Sequence, residues 1–180
     1  HASSSSSFIP HSVPGPRLNI VVGPNGVGKS TILCAICLGL GGSPALLGRA
    51  TDTQTFVKHE KEAATIRIEL EPMEGSPVGH IFTRTMTRHK EAAKANRWFI
   101  EVNGWDSGTT KLPFGPSSSA VAVKKLVTEH YKIQIDNLCT FLPQDKVGSF
   151  SGFNPQQLLM EMEKALAGNV LYDKHLELIK

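Results

Sequence analysis

The sequence predicts an α/β fold organised around a glycine-rich loop, and three observations predict it. Gly23, four further residues and then Gly28-Lys29-Ser30 fit the pattern G-x-x-x-x-G-K-[ST]. The loop is flanked by a short apolar run, Leu18, Ile20, Val21 and Val22, and by a proline-free segment from Thr31 to Leu40. Further on, 65–70 and 81–88 alternate apolar with polar residues at the period of strands that wet one face.

The loop pattern is met by chance on the order of one time in a hundred in a chain of this length, and its flanks make the case. Such a loop works by aiming backbone N–H groups and a helix N-terminus at phosphate oxygens, so it needs a strand before it and a helix after it. The run 18–22 is expected to be that buried strand. The helix is expected to stop at Gly39, Gly41 and Gly42. Gly23, Gly26 and Gly28 would let the backbone close around phosphates. Lys29 would reach the β and γ phosphates, and the Ser30 hydroxyl would hold Mg²⁺.

With 180 residues and 40% hydrophobic content, one main domain with one substantial core is expected. No apolar run approaches the ~20 residues of a spanning helix, so no membrane partner is expected. The start lacks the basic, apolar and small-residue order of a secretion signal. A net charge of +3 is too small to point to nucleic acid, so any such contact must rest on local clustering. Cys34 and Cys37 form a C-x-x-C inside the predicted helix. With no second ligand pair and no histidine nearby in sequence, they read as small core residues rather than a metal or redox site.

Residues 1–16, with five consecutive serines and Pro10, Pro14, Gly15 and Pro16, read as a flexible lead-in. After the helix, 43–55 is a connection containing Pro44, Gly48 and Arg49. Pro72, Gly75, Pro77 and Gly79 mark a long loop between the two alternating strands, and Thr83, Thr85 and Thr87 share a face with Ile81. Trp98–Val102 followed by Asn103-Gly104 signals a hairpin, and 105–119 an extended loop. Val123, Leu126 and Val127 at helical spacing predict a helix over 120–131, and 133–142 reads as a mostly apolar strand ending at Pro143-Gln144. Asn154, Pro155 and Gln157 have the N-cap, N1 and N3 chemistry of a capping box. They open a helix with Leu158, Leu159, Met162 and Leu166 on one side. From Tyr172 to Lys180 a new helical pattern begins.

Taken together, GPNGVGKST at 23–31, GRA at 48–50, FVK at 56–58, IQIDNLCTFLPQD at 133–145 and LLMEMEKALAG at 158–168 resemble the N-terminal head segment of the structural maintenance of chromosomes family. The resemblance runs from about Pro14 to the end and is nearest to the family's fifth member, the partner of the sixth. It implies the N-terminal lobe of an ABC-type P-loop ATPase head: a mixed sheet, the phosphate-loop helix, and the start of a coiled-coil arm. The implied division is a lead-in over 1–16, the lobe over 17–168 and the beginning of the arm over 169–180. The resemblance further implies ATP and Mg²⁺ as cofactors, held by Gly23, Pro24, Asn25, Gly26, Val27, Gly28, Lys29, Ser30 and Thr31. Gln144 falls at the family's Q-loop beside metal and attacking water. Arg49 falls where the family carries an arginine that approaches the nucleotide and links DNA binding to hydrolysis.

Implied partners are the chain's own C-terminal half-head, the head of the sixth member, and DNA, single- or double-stranded. The implied setting is the chromosome in the nucleus, in DNA repair and recombination. Two departures stand out. The strand pair that opens family heads is replaced by the serine-rich lead-in, and the 105–119 loop looks longer than usual. An Asp-Glu pair at the end of an apolar strand and an LSGGQ-like signature are both missing, as expected if they lie in the distal half. Catalysis, with Lys29 and Gln144 as its residues here, would thus need a composite two-head site, and the isolated chain would be nearly inactive. Two alternatives stay open: a self-contained P-loop kinase or GTPase, and a structural DNA-binding module with a vestigial phosphate loop. The latter would draw on Arg84, Arg88, His89, Lys90, Lys94 and Arg97.

Overall fold

A computed structural model describes residues 18–48, 52–88, 96–104, 108–111 and 120–167, with 174, 177 and 178 besides. The lead-in 1–16, Arg49, the basic residues 89, 90 and 94, most of the 105–119 loop and nearly all of the proposed arm lie outside the described residues.

Helix α1 spans Lys29–Gly39. Strands β1 (Ala63–Leu70), β2 (Val78–Thr87), β3 (Asn96–Gly104) and β4 (Gly108–Lys111) form one sheet in the order β1-β2-β3-β4. Every described pairing is antiparallel, so any parallel strand of a mixed sheet lies outside the described residues. Helices α2 (Ala120–Tyr131), α3 (Val147–Ser151) and α4 (Pro155–Ala167) follow.

The alternation read from the sequence sets the sheet's two faces. Ala63, Thr65, Arg67 and Glu69 are exposed on β1 while Ala64, Ile66, Ile68 and Leu70 pack toward the core. On β2 the inward set is His80, Phe82, Arg84 and Met86, and the threonines occupy the other face, where the Thr65 and Thr85 hydroxyls lie 3.3 Å apart. The core is closed by Cys34, Cys37 and Leu38 of α1, Trp98 and Ile100 of β3, and Val123, Val127 and Tyr131 of α2. Cys37 is fully buried, and burial is the main reason its thiol is pushed up to about 11, with Cys34 adding to the rise and Arg84 opposing it. That is the behaviour of an inert core cysteine.

Glycines at and just after the end of α1 allow this packing. A Cβ on Gly39 would come within 2.5 Å of Ile68 Cδ1, so the bare α-carbon lets the helix end sit directly on the Ile66 and Ile68 side chains of β1. Gly41, at φ 86°, would place a Cβ 2.6 Å from the Ala120 carbonyl oxygen, which brings the turn against the start of α2.

Two predicted strands are corrected. Residues 18–22 form no strand, and Leu18, Ile20, Val21 and Val22 are exposed; no described neighbour offers them a ladder, and a strand exists only when paired. Residues 133–142 form successive turns. Lys132, at φ 57°, turns the chain after α2. Asn137 then takes over the backbone: its Oδ1 accepts from Cys139 N–H at 2.8 Å, its Nδ2 donates to Glu161 O at 2.8 Å, and its carbonyl accepts from Phe141 N–H at 2.9 Å. Such local side-chain bonds replace a ladder. The hairpin signal is displaced as well, since Asn103 and Gly104 pair with Thr109 and Gly108 as the last residues of β3.

The capping box of α4 forms as predicted: Gln157 N–H donates to Asn154 Oδ1 at 2.8 Å and Asn154 N–H to Gln157 Oε1 at 3.0 Å. Its apolar side, Leu158, Leu159, Met162 and Leu166, remains exposed, for nothing among the described residues covers it.

A buried polar pair joins sheet to helix. His80 Nδ1 lies 2.7 Å from Tyr131 Oη, and the His130 ring stands edge-on to His80. Burial, then the charge of His130, lowers the His80 pKa below its ordinary 6.5. The unfolded chain therefore takes up this proton where the folded chain resists it, and stability is lost as pH falls below about 6.5 toward the lowered folded value. Urea midpoints should drop between pH 7.5 and 5.5, and His80→Phe should flatten that drop. An equal drop in the variant would place the acid-sensitive proton elsewhere.

Candidate nucleotide site

The phosphate loop forms a short exposed turn, Gly23 to Gly28, that feeds directly into α1. Gly26 at φ 87° and Gly28 at φ 99° adopt the left-handed backbone that turns successive N–H groups to one side. Thr31 N–H donates to Gly28 O at 2.9 Å and starts the helix. Across the loop Gly23 packs closely on Val27, since a Cβ there would meet Val27 Cγ2 at 2.9 Å. Pro24 and Asn25 complete the exposed rim.

Lys29 Nζ donates to both Gly23 O and Pro24 O at 2.7 Å, so the ammonium is folded over the loop by two carbonyls. The first turn of α1 contains no acidic residue, and Ser30 sits there half-buried. A helix N-terminus, two left-handed glycines and an ammonium held over the loop fit a polyphosphate. For a metal ion this chain offers the Ser30 hydroxyl and, from another element, Gln144. Among the described residues no group of three or more His, Cys, Asp or Glu is placed to hold a metal ion.

Gln144 opens a 3-10 turn, Gln144–Lys146, instead of closing a strand. Phe141 and Pro143 are buried beneath it, Lys146 N–H donates to Pro143 O at 2.9 Å, and the Gln144 side chain is exposed. The turn Pro44–Leu47, capped by Ser43 and ending at Gly48, packs against α1 on one side and brings Gly48 against Asp145 on the other. The phosphate-loop helix, the turn just before Arg49 and the Gln144 turn thus form a continuous sequence of contacts. Arg49 itself lies outside the described residues.

The basic stretch is corrected. Arg84 is 4% exposed, its Nη1 donates to Leu38 O at 2.7 Å at the end of α1, and its guanidinium lies 4.6 Å from the Trp98 ring centroid. Burial lowers its pKa to about 10, so it stays charged at neutral pH inside the protein. The alternation that put Thr83 and Thr85 outside already put Arg84 inside. Of the six residues only Arg88 and Arg97 are described and exposed.

The AAA domain family matches residues 8–179. Over 168 residues the chain is 38% identical to structural maintenance of chromosomes protein 5 of Schizosaccharomyces pombe, covering 92% of this chain. It is likewise 38% identical over 169 residues to the protein 5 of Arabidopsis thaliana, covering 93%. The chain belongs to the AAA domain family and to the structural maintenance of chromosomes family. It spans 14% of the length of those two relatives. Its fold is that of a head of this family: a solved structure from work on ATP-driven dimerization and DNA-stimulated activation of SMC ATPases superposes with a TM-score of 0.56. That match has 20% identity and covers 82% of this chain and 84% of that one. For a family ATPase head, the loop at 23–31 is the candidate nucleotide site. Among the described residues no helix is long and apolar enough to cross a membrane.

Proposed function

We propose that the chain is the ATP-binding half of a composite head, acting in chromosome maintenance, DNA repair and recombination in the nucleus. The observation that carries this reading is the loop itself: left-handed Gly26 and Gly28, and Lys29 folded over it at 2.7 Å from two carbonyls. Residues 23–31 hold the phosphates, with Lys29 on the β and γ groups and Ser30 and Gln144 on Mg²⁺. Arg49 approaches the nucleotide from the neighbouring loop. When bound, Mg²⁺ neutralises phosphate charge during transfer to water.

Completion requires the chain's own C-terminal half and the head of the family's sixth member. The exposed Ile20 and Val22, 74% and 86% accessible just before the loop, support this, as does the open apolar side of α4. Apolar surface of this kind calls for a cover. In this reading residues 17–168 are the lobe and 169–180 the first turns of an arm. DNA would meet the exposed Arg88 and Arg97 end of the sheet.

In the assembled head, Gln144→Ala should lower turnover about 10²-fold, the size typical of a misplaced or missing catalytic group, while the ATP dissociation constant moves by less than about threefold. Turnover at the parental rate would remove Gln144 from the mechanism.

A further inference from the structure

We propose that Gly48 is a positioning residue for Gln144: its bare α-carbon is the seat against which Asp145 fixes the turn that presents the Gln144 side chain. The inference rests on the role proposed above for Gln144. A Cβ at residue 48 would lie 3.1 Å from both Cβ and Oδ2 of Asp145 and 3.4 Å from its Cγ. Rotating the Asp145 side chain would move Oδ2 but not Cβ, which is fixed by the backbone. The remaining relief is a shift of a few tenths of an ångström between the two backbones, and on the 143–146 side Gln144 is the residue next to the contact.

Both sides of the contact are anchored. Leu47, next to Gly48, is buried, and Gly48 N–H donates to Ala45 O at 3.3 Å. Opposite, buried Phe141 and Pro143 root the turn. Lys146 N–H donates to Pro143 O, and Val147 N–H donates to Gln144 O. Gln144 and Asp145 are themselves exposed, so the contact with Gly48 is a support for this turn from outside its own segment.

Glycine at this position has two separable reasons, the contact and its φ of 67°. Asparagine tolerates the left-handed region but brings a Cβ, so Gly48→Asn tests the contact. In this chain the variant should speed amide exchange at Lys146 and Val147 by about tenfold or more, as expected of a loosened local turn. In the assembled head it should lower ATP turnover about tenfold with the ATP dissociation constant within about twofold, because a small misplacement of a catalytic group is costly while ground-state binding is spared. In a Gln144→Ala background the same change should cost less than about twofold further. Unchanged exchange at Lys146 and Val147 would overturn the proposal, and so would an equal loss of turnover in both backgrounds. If Gln144→Ala alone turns over ATP at the parental rate, the role of Gln144 fails instead, and the exchange rates still decide whether Gly48 sets the turn.

Discussion

Arg84→Ala should destabilise the folded chain by about 3 to 4 kcal/mol, a large share of the ~5 to 15 kcal/mol of an ordinary domain. Two losses add. A charge-assisted hydrogen bond is worth about 1.5 to 3 kcal/mol, and here it leaves the Leu38 carbonyl at the end of α1 without this donor. A desolvated guanidinium over an indole ring contributes up to about 2 kcal/mol more, and Arg84 lies directly opposite Trp98 in the ladder. Arg84→Lys keeps the charge but loses the plane that stacks, so it should recover only part of the loss. Urea midpoints of the three proteins check this. A change below about 0.5 kcal/mol would return Arg84 to the solvated basic surface, and unchanged stability with weakened DNA binding would restore it to a nucleic-acid contact.

What the sequence made legible depended on whether a segment's structure is decided within itself. The turn at 23–28, α1, β1, β2, α2 and the Asn154–Gln157 cap are local patterns, and each formed where its residues predicted. The run 18–22 failed for the opposite reason: apolar content marks a strand only if a neighbour supplies its ladder, and no described strand does. Residues 133–142 have the apolar composition of a strand, but their side-chain chemistry decides for turns. The Asp136-Asn137 pair was a visible turn signal, and Asn137 uses it to bond Cys139 and Glu161.

At the site, the same division holds. Lys29 could be placed from spacing alone, but not its hold on Gly23 and Pro24. Arg84 shares its alternation with Phe82 and Met86, so its inward position was legible although its charge alone suggests the surface. The contact between Gly48 and Asp145 joins residues almost a hundred positions apart in sequence, and no local signal announces it.

Lys29→Ala is expected to weaken ATP binding about 10²-fold or more, since its ammonium is the loop's only motif-positioned cation for the β and γ phosphates and charge-assisted contacts to phosphate are the strong ones. Whether this chain holds a phosphate cradle without a complete hydrolytic site is decided by phosphate release from the purified chain beside its Lys29→Ala variant. The chain should bind ATP in a Lys29-dependent way yet release phosphate no faster than the variant, and turnover should emerge when the distal half and the partner head are added. Robust, Lys29-dependent phosphate release from the chain alone would contradict that expectation.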